Sequence, residues 1–348
     1  MLTTELSVLS VLMIFVVTLL TVLLGYLLIR KARENKVRKR INNYKEKYRV
    51  PVYDYLSSGE VTRLIEPIGK DRKLAIEELL RDFSDILEGE ETRLNLSNYA
   101  ERHLSELYRE NLTSRQWSNR MNTLYYIEDF YMKNLEADVQ KEILDNLASS
   151  KDEIIQSLCV LARFNSPKFK EYIELKHEEL LEFDLRNILR RVEEEQLDYL
   201  IDRFENYSLN LQCAILERIS QLKNLEYVTF LESTFEKNSG EVKLRALKTL
   251  ANLGYVEDIT RYMPLCDSPV WQERMLVAKL FKMLQDNRTI SCLKKLLHDE
   301  YWWVRQQAGD TIASFPNGNE ILIEVIEQSQ DNYAKDMARE WLNKGVLT

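Results

Sequence analysis

The segment "DEYWWVRQQAGDTI", residues 299 to 312, contains the pattern that decides the fold. Val304, Ala308 and Ile312 follow one another at intervals of four, so on an α-helix they share one face. A small residue between two larger apolar residues lets a neighbouring helix approach closely. The segment therefore predicts an α-helix that packs tightly against another helix through Ala308.

The same pattern recurs along the C-terminal part of the chain. Its copies begin at Leu211, Val242, Glu273, Val304 and Ala334, which are 31 residues apart except for the last step of 30. Repetition at a nearly fixed interval is the mark of a repeat architecture. We therefore expect a modular fold with repeats of about 30 residues.

Each copy is followed by a break and then by a second amphipathic run. The four runs are "NLEYVTFLESTFEK", "YVEDITRYM", "TISCLKKLL" and "NEILIEVIEQ". The breaks contain Gly, Pro, Asn and Asp, as at residues 238–240 and 316–319, and these residues favour turns. Each repeat is thus predicted to be a helix pair, and stacked helix pairs form an α-solenoid.

Composition points to the same fold class. The chain of 348 residues has only 9 Gly and 6 Pro, and 45% of its residues are hydrophobic. This composition favours helices over β-architectures with many tight turns. We expect an all-α protein in which residues 206–348 form regular repeats and residues 50–205 form irregular helical pairs that continue the stack.

The repeats resemble HEAT repeats, and specifically the short HEAT-like repeats of the phycobilisome-lyase type. Asp299, Val304, Arg305, Ala308 and Ile312 match the family pattern D-x-x-x-x-V-R-x-x-A-x-x-x-L, and "VKLRALKTLANLG" from residue 242 matches its first helix. The resemblance covers roughly residues 209 to 342.

This resemblance implies a right-handed α-α solenoid. It also implies that the family's Asp and Arg join neighbouring turns, so that Asp299 pairs with Arg305 and Asp267 pairs with Arg274.

The first 29 residues predict a membrane anchor. Residues 6–29 contain no charged side chain, and at about 1.5 Å per residue such a helix exceeds the roughly 30 Å hydrocarbon core of a bilayer. A buried core helix is disfavoured by this length, and a cleaved signal peptide by the absence of Lys or Arg before the apolar run.

A basic juxtamembrane segment follows at residues 30–49, where ten Lys and Arg stand against two Glu. Such a flank stays in the cytoplasm, so we expect a single-pass protein with its N-terminus outside and its body cytoplasmic. The segment is also expected to contact anionic lipid headgroups. The residues predicted at the membrane surface are Arg30, Lys31, Arg33, Lys36, Arg38, Lys39 and Arg40.

The rest of the chain is acidic, because the net charge is −8 despite this basic segment. Nucleic acid would be repelled by such a body. Sequence motifs for nucleophilic, nucleotide-dependent and metal-dependent catalysis are absent. The three His and four Cys are scattered; we expect the four cysteines to be buried reduced thiols, and we expect no metal, no cofactor and no enzymatic activity.

Aromatic residues beside the repeat pattern are the candidate binding residues. Trp302 follows Trp271 by 31 residues, which favours packing between repeats along the small residues Gly309 and Ala313. The alternative is a hot spot for a partner, where Trp and Tyr concentrate binding energy. The candidate partner-binding residues are Trp271, Tyr301, Trp302, Trp303, Lys294 and Lys295, with Tyr301 and Trp303 expected to be exposed.

These observations predict a membrane-anchored HEAT-repeat scaffold or regulatory subunit that binds a protein partner at the cytoplasmic face. A multi-pass membrane biosynthetic enzyme is one candidate partner. The alternative is a membrane-tethered HEAT-like lyase or another enzyme.

Overall fold

The structure is a computed structural model that describes residues 2–60, 65–84, 86, 89–146 and 148–345, with side chains from residue 13 to residue 344. Within these residues the protein is all-α and contains no strand, which confirms the predicted fold class. The chain forms two compact units, Met1–Phe164 and Asn165–Thr348.

The first unit begins with an unbroken helix that runs from the apolar N-terminal segment into the folded core. Its C-terminal part is buried at Tyr48, Val52 and Leu56, where it packs on the next two long helices. The helices are α1 (Leu2–Ser58), α2 (Lys70–Ser84), α3 (Glu90–Leu112), α4 (Trp117–Asp129), α5 (Glu136–Val139) and α6 (Lys151–Arg163).

Helix α6 begins at a well-defined cap. Ser150 accepts a hydrogen bond from the backbone N–H of Glu153, and Glu153 accepts one from the backbone N–H of Ser150 at 2.8 Å. The same carboxylate accepts a hydrogen bond from Arg120 Nε at 2.5 Å. Burial opposes ionisation of Glu153, but the bonds from Arg120 and Ser150 prevail and lower its pKa. This cap fixes the start of α6 against α4.

The second unit contains the predicted repeats. Its helices are α7 (Pro167–Lys176), α8 (Glu182–Leu189), α9 (Glu194–Asp202), α10 (Leu209–Leu222), α11 (Val228–Lys237), α12 (Gly240–Leu253), α13 (Trp271–Leu284), α14 (Ile290–Leu296), α15 (Trp302–Ala313), α16 (Gly318–Gln328) and α17 (Asn332–Gly345).

The first helices of successive repeats pack side by side. Helices α10, α12, α13, α15 and α17 begin at residues 209, 240, 271, 302 and 332, and each contacts the next. The small residues of the pattern, such as Ala246 and Ala308, are fully buried. The period of the sequence is therefore the period of the helix packing in this unit.

Side-chain hydrogen bonds repeat with the helices. Thr249 Oγ1 donates to the carbonyl of Leu216 at 3.1 Å, and Thr311 Oγ1 donates to the carbonyl of Ala278 at 2.8 Å. Each bond joins one first helix to the preceding one. The hydroxyl groups are thus satisfied in the interior and fix the register between neighbouring helices.

In one repeat, the second helix that the sequence predicts is not formed. The run "YVEDITRYM" was expected to be a helix, but the structure has only two short 3-10 turns there, Ile259–Arg261 and Met263–Asp267. Pro264 lies at the start of the second turn and has no backbone N–H to donate, so the first turn cannot continue through it as an α-helix.

The prediction of four reduced thiols is wrong for two of them. Cys266 and Cys292 form a disulfide with a Cα–Cα distance of 6.0 Å, whereas Cys159 and Cys213 are free and buried. The two bonded residues are 26 positions apart and lie in the second elements of consecutive repeats. Stacking of the repeats brings them together although they are distant in sequence.

Three of the first helices share a left-handed ending. The residue after each of α10, α12 and α13 has positive φ: Lys223 at 54°, Gly254 at 71° and Gln285 at 48°. Each donates its N–H to a carbonyl four residues earlier. Only glycine adopts this conformation without strain.

We expect Lys223→Gly to stabilise the protein, because it removes left-handed strain from a lysine. The strain costs about 1–2 kcal/mol and the extra backbone entropy of glycine about 0.5–1 kcal/mol, so the net gain is about 0.5 kcal/mol. Gly254→Ala should lose about 0.5 kcal/mol by the reverse change, and more because its Cβ would lie 3.0 Å from Met283 Cβ. Urea unfolding measures both; a destabilised Lys223→Gly protein contradicts this account of the helix endings.

Candidate protein-binding edge and membrane-facing helix

The candidate aromatic residues lie where first helices begin. We call Trp271, Tyr301, Trp302, Trp303 and Tyr333 the aromatic edge. The Trp271 ring stacks on Tyr301 with centroids 5.6 Å apart, and the Trp302 and Trp303 rings meet edge to face at 4.7 Å. Trp302 is 46% exposed, Trp303 60% and Tyr333 71%. The edge presents large aromatic surface to solvent, as the hot-spot interpretation expects.

Two arginines support the rings of this edge. The Arg274 guanidinium lies 5.7 Å from the Tyr301 centroid, and the Arg305 guanidinium lies 5.2 Å from the Tyr333 centroid. Such cation–π contacts hold a ring in place while one of its faces remains open. Arg274 and Arg305 therefore restrict the Tyr301 and Tyr333 rings.

The acid–base pairs differ from those that the HEAT resemblance implied. Asp299 pairs with Arg274 and not with Arg305. Arg274 Nε lies 2.5 Å from Asp299 Oδ2, and Arg274 Nη2 lies 2.9 Å from Asp299 Oδ1. The hydrogen bond to Asp299 raises the pKa of Arg274. Arg305 instead donates to the backbone carbonyl of Asp299 at 2.6 Å. Asp299 precedes α15 but lies beside the start of α13, so its carboxylate meets the arginine of the preceding repeat.

The two candidate lysines are engaged in ion pairs. Lys294 Nζ lies 2.5 Å from Glu324 Oε2, and Lys295 pairs with Asp267. Each pair joins the second elements of neighbouring repeats. Lys294 and Lys295 therefore both take part in contacts between repeats.

The predicted packing of Trp302 along Gly309 is wrong. A Cβ on Gly309 would lie 2.3 Å from Trp341 Cδ1, so the indole that covers Gly309 is that of Trp341 in α17. Trp302 precedes this glycine on the same helix and points out beside Trp303. The first helix of the next repeat, α17, therefore supplies the ring that lies against Gly309 of α15.

Tyr333 was missed in the sequence although a signal was present. It follows Trp302 by 31 residues, as Trp302 follows Trp271, so an aromatic residue begins three consecutive first helices. Continuing the 31-residue step from Trp271 through Trp302 would have identified it.

The N-terminal helix is long and apolar enough to cross a membrane. Its most apolar window has a mean hydropathy of 2.3 and no buried residue. Thr18 and Thr21, inside the apolar part, each donate their hydroxyl to a carbonyl four residues earlier at 2.8 Å. Neither threonine hydroxyl therefore needs a water partner.

The predicted membrane-surface residues fall into two groups. Arg38 pairs with Glu78 and Arg40 Nε lies 3.0 Å from Asp71 Oδ2, so both join α1 to α2. Arg30 pairs only with Glu34 on its own helix, at 2.8 Å. Within the described part of the chain, the other four basic residues form no ion pair; they are Lys31, Arg33, Lys36 and Lys39, and all four are exposed.

Two histidines have structural partners. Ser208 Oγ lies 3.0 Å from His177 Nδ1, and Ser329 Oγ lies 2.9 Å from His298 Nε2; each serine follows its histidine by 31 residues. The pairs connect turns of adjacent repeats. Among the described residues, no three His, Cys, Asp or Glu side chains are placed to hold a metal ion.

Comparisons with known proteins identify no family. No family model matches the chain, and no curated protein matches it. Among solved structures, the crystal structure of an engineered protein from a structural genomics consortium is 13% identical and covers 90% of this chain and 99% of its own. Its TM-score of 0.38 is too low to identify a shared fold.

We expect Gly309→Ala to destabilise the protein by about 1–3 kcal/mol, because the added methyl group overlaps the Trp341 ring and overpacking costs this much. Trp341→Leu leaves room for the methyl group, so Gly309→Ala should cost much less in that background. Thermal or urea unfolding of the four proteins measures the coupling. Equal losses in both backgrounds would show that Trp341 does not cover Gly309.

Proposed function

We propose that the protein is a membrane-anchored scaffold of HEAT-like repeats that binds another protein through the aromatic edge. The observation that carries this proposal is the exposed, pre-ordered aromatic surface along the starts of α13, α15 and α17. The supporting context is a series of first helices at 31-residue intervals, each packed on the next.

The aromatic edge has the properties of an interface hot spot. Trp, Tyr and Arg are the residues that most often dominate protein–protein binding energy. Ring stacking and the two arginine contacts already restrict the side chains, so a partner pays less conformational entropy on binding. Three large exposed rings within successive repeats also offer more apolar contact than isolated surface aromatics do.

We infer that the repeats form a right-handed α-solenoid of the HEAT type. The inference depends on the motif match from Asp299 to Ile312, the constant spacing and the buried small residues at the helix contacts. In such an array the turns of successive repeats form a continuous row, which explains why the aromatic residues recur at one position of the repeat.

We infer that α1 anchors this scaffold with the N-terminus outside the cell and the body in the cytoplasm. The exposed Lys31, Arg33 and Lys36 follow the apolar stretch directly and suit the anionic cytoplasmic leaflet. The Cys266–Cys292 disulfide favours the opposite orientation, since stable disulfides are rare in the cytosol.

Labelling of introduced cysteines tests this orientation. Thr3→Cys should react with a membrane-impermeant maleimide on intact cells, whereas Glu34→Cys should react only after permeabilisation. Glu34 is a suitable position because its side chain is 63% exposed. Labelling of Glu34→Cys on intact cells would place the body outside and refute the cytoplasmic assignment.

Affinity isolation from gently solubilised membranes tests the scaffold proposal. The wild-type protein should recover a stoichiometric protein partner, identified by mass spectrometry. A Trp302→Ala/Trp303→Ala protein should bind that partner at least about 30-fold more weakly, since hot-spot residues are worth about 2 kcal/mol or more each.

Tyr125→Ala is the matched control, because Tyr125 is 48% exposed and belongs to α4 in the first unit, whereas the aromatic edge belongs to the second. This variant should retain binding. Equal recovery with the double variant would refute the aromatic edge as the binding surface. A bound small molecule without any protein partner would instead support the alternative, a membrane-tethered lyase or other enzyme.

A further inference from the structure

The second element between α12 and α13 is held to its neighbour by a disulfide. This element consists of two 3-10 turns, Ile259–Arg261 and Met263–Asp267, whereas α11, α14 and α16 are the α-helices that follow α10, α13 and α15. A 3-10 turn has poorer hydrogen-bond geometry than an α-helix, so its conformation depends more on side-chain contacts. Cys266 in the second turn is bonded to Cys292 in α14. The bond therefore fastens an irregular element to a regular one.

Two other features keep these cysteines close to each other. Asp267, which follows Cys266, pairs with Lys295, one helical turn after Cys292. The two side chains of this ion pair are 66% and 59% exposed, so the pair adds little stability, but it joins the same two elements. Helix α13 lies between the cysteines in sequence and packs on both elements. Opening of the disulfide therefore leaves the two thiols near each other, and the bond can form again.

The disulfide lies just below the surface. Cys266 is 5% exposed and Cys292 is 8% exposed, while the adjacent residues Asp267 and Ser291 are exposed. Short irregular segments open locally at a lower free energy than core helices do. Such an opening of the turn gives a thiol reagent access to the sulfur atoms without unfolding of the whole unit.

The turn that carries Cys266 is also bonded to the aromatic edge. Ser268, two residues further on, accepts a hydrogen bond at its backbone carbonyl from Arg274 Nη1 at 2.7 Å. The same guanidinium lies over the Tyr301 ring, and this ring stacks on Trp271. Displacement of the turn therefore removes a support of Arg274, and with it a restraint on the two stacked rings.

We propose that Cys266 and Cys292 form a thiol–disulfide switch that sets the order of the aromatic edge. When the bond is closed, the turn is held against α14 and Arg274 stays in place. When the bond is open, the turn and the rings beside it become mobile. In the cytoplasm, where thiols are kept reduced, oxidising conditions close the bond. The consequence for binding rests on the proposed scaffold function: the oxidised protein binds its partner more tightly.

The chemical step is an exchange with an external dithiol. One thiolate of the dithiol attacks a sulfur of the disulfide, a mixed disulfide forms, and the other protein sulfur leaves as a thiolate and takes up a proton. The second thiolate of the dithiol then attacks the mixed disulfide and releases the second protein thiol. Two electrons and two protons thus pass from the dithiol to the protein, and the oxidised dithiol reverses the reaction.

Amide hydrogen exchange of the full chain in phosphatidylcholine nanodiscs tests the switch, with reduced and oxidised dithiothreitol as the probes. Exchange at residues 259–274 and 299–303 should be at least about tenfold faster in the reduced protein, because a cross-link restricts local opening. Exchange in α4 should not change, and oxidised dithiothreitol should restore the slow rates. Alkylation after denaturation should count two thiols, those of Cys159 and Cys213, in the oxidised protein and four in the reduced protein.

Variants then assign the effect to this pair. Cys266→Ser/Cys292→Ser should show the fast exchange in both reduced and oxidised dithiothreitol. The matched control is Cys213→Ala, which removes a buried thiol outside the pair and should respond like the wild type. Circular dichroism shows whether each variant is folded. The reversible change in the wild-type protein tests the switch even if the double variant does not fold.

Three results would overturn the proposal: four thiols in oxidised dithiothreitol, a disulfide that is reduced only after circular dichroism shows unfolding, or equal exchange of the aromatic edge in both states. None of these measurements needs a partner. With the partner recovered by affinity isolation, the oxidised protein should bind at least about tenfold more tightly than the reduced protein. Equal binding would refute the effect on the partner, whereas recovery of no partner would refute the scaffold function and not the switch.

Discussion

Contact between successive first helices through small buried residues is the constraint on which the second unit depends. Each of these helices packs on the first helix that precedes or follows it. Ala246 and Ala308 are fully buried where these helices meet. Because every repeat adds the same number of residues, features at one position of the repeat are brought side by side. The aromatic edge, the left-handed helix endings and the His–Ser pairs all result from this register.

Sequence alone predicted the helices of this unit well, and it predicted the contacts between repeats poorly. Apolar residues at intervals of four specify which face of one helix is buried, so the positions of Val304, Ala308 and Ile312 could be read directly. The partner of Asp299 and the ring above Gly309 depend on how far one repeat is displaced along the next, which periodicity does not encode. Cys266 and Cys292 meet for the same reason, without any short motif to announce their pairing.

The sequence likewise revealed some features of the candidate sites and not others. The exposed tryptophans were identifiable because the repeat marked them, and Tyr333 was identifiable by the same 31-residue step. The basic segment was predicted by composition. Which of its residues form ion pairs depends on the acidic residues of α2. Arg38 and Arg40 are used inside the folded unit, and the residues nearer the apolar stretch remain exposed.

The continuity of α1 has a mechanical consequence. The same helix that is apolar near its start is held at Tyr48, Val52 and Leu56 in the core of the first unit, and no break separates the two parts. At about 1.5 Å per residue, the stretch from Ile29 to Arg38 is a rigid spacer of roughly 14 Å. An axial rotation or tilt imposed on the apolar end would be transmitted directly to α2 and α3, which pack on the same helix.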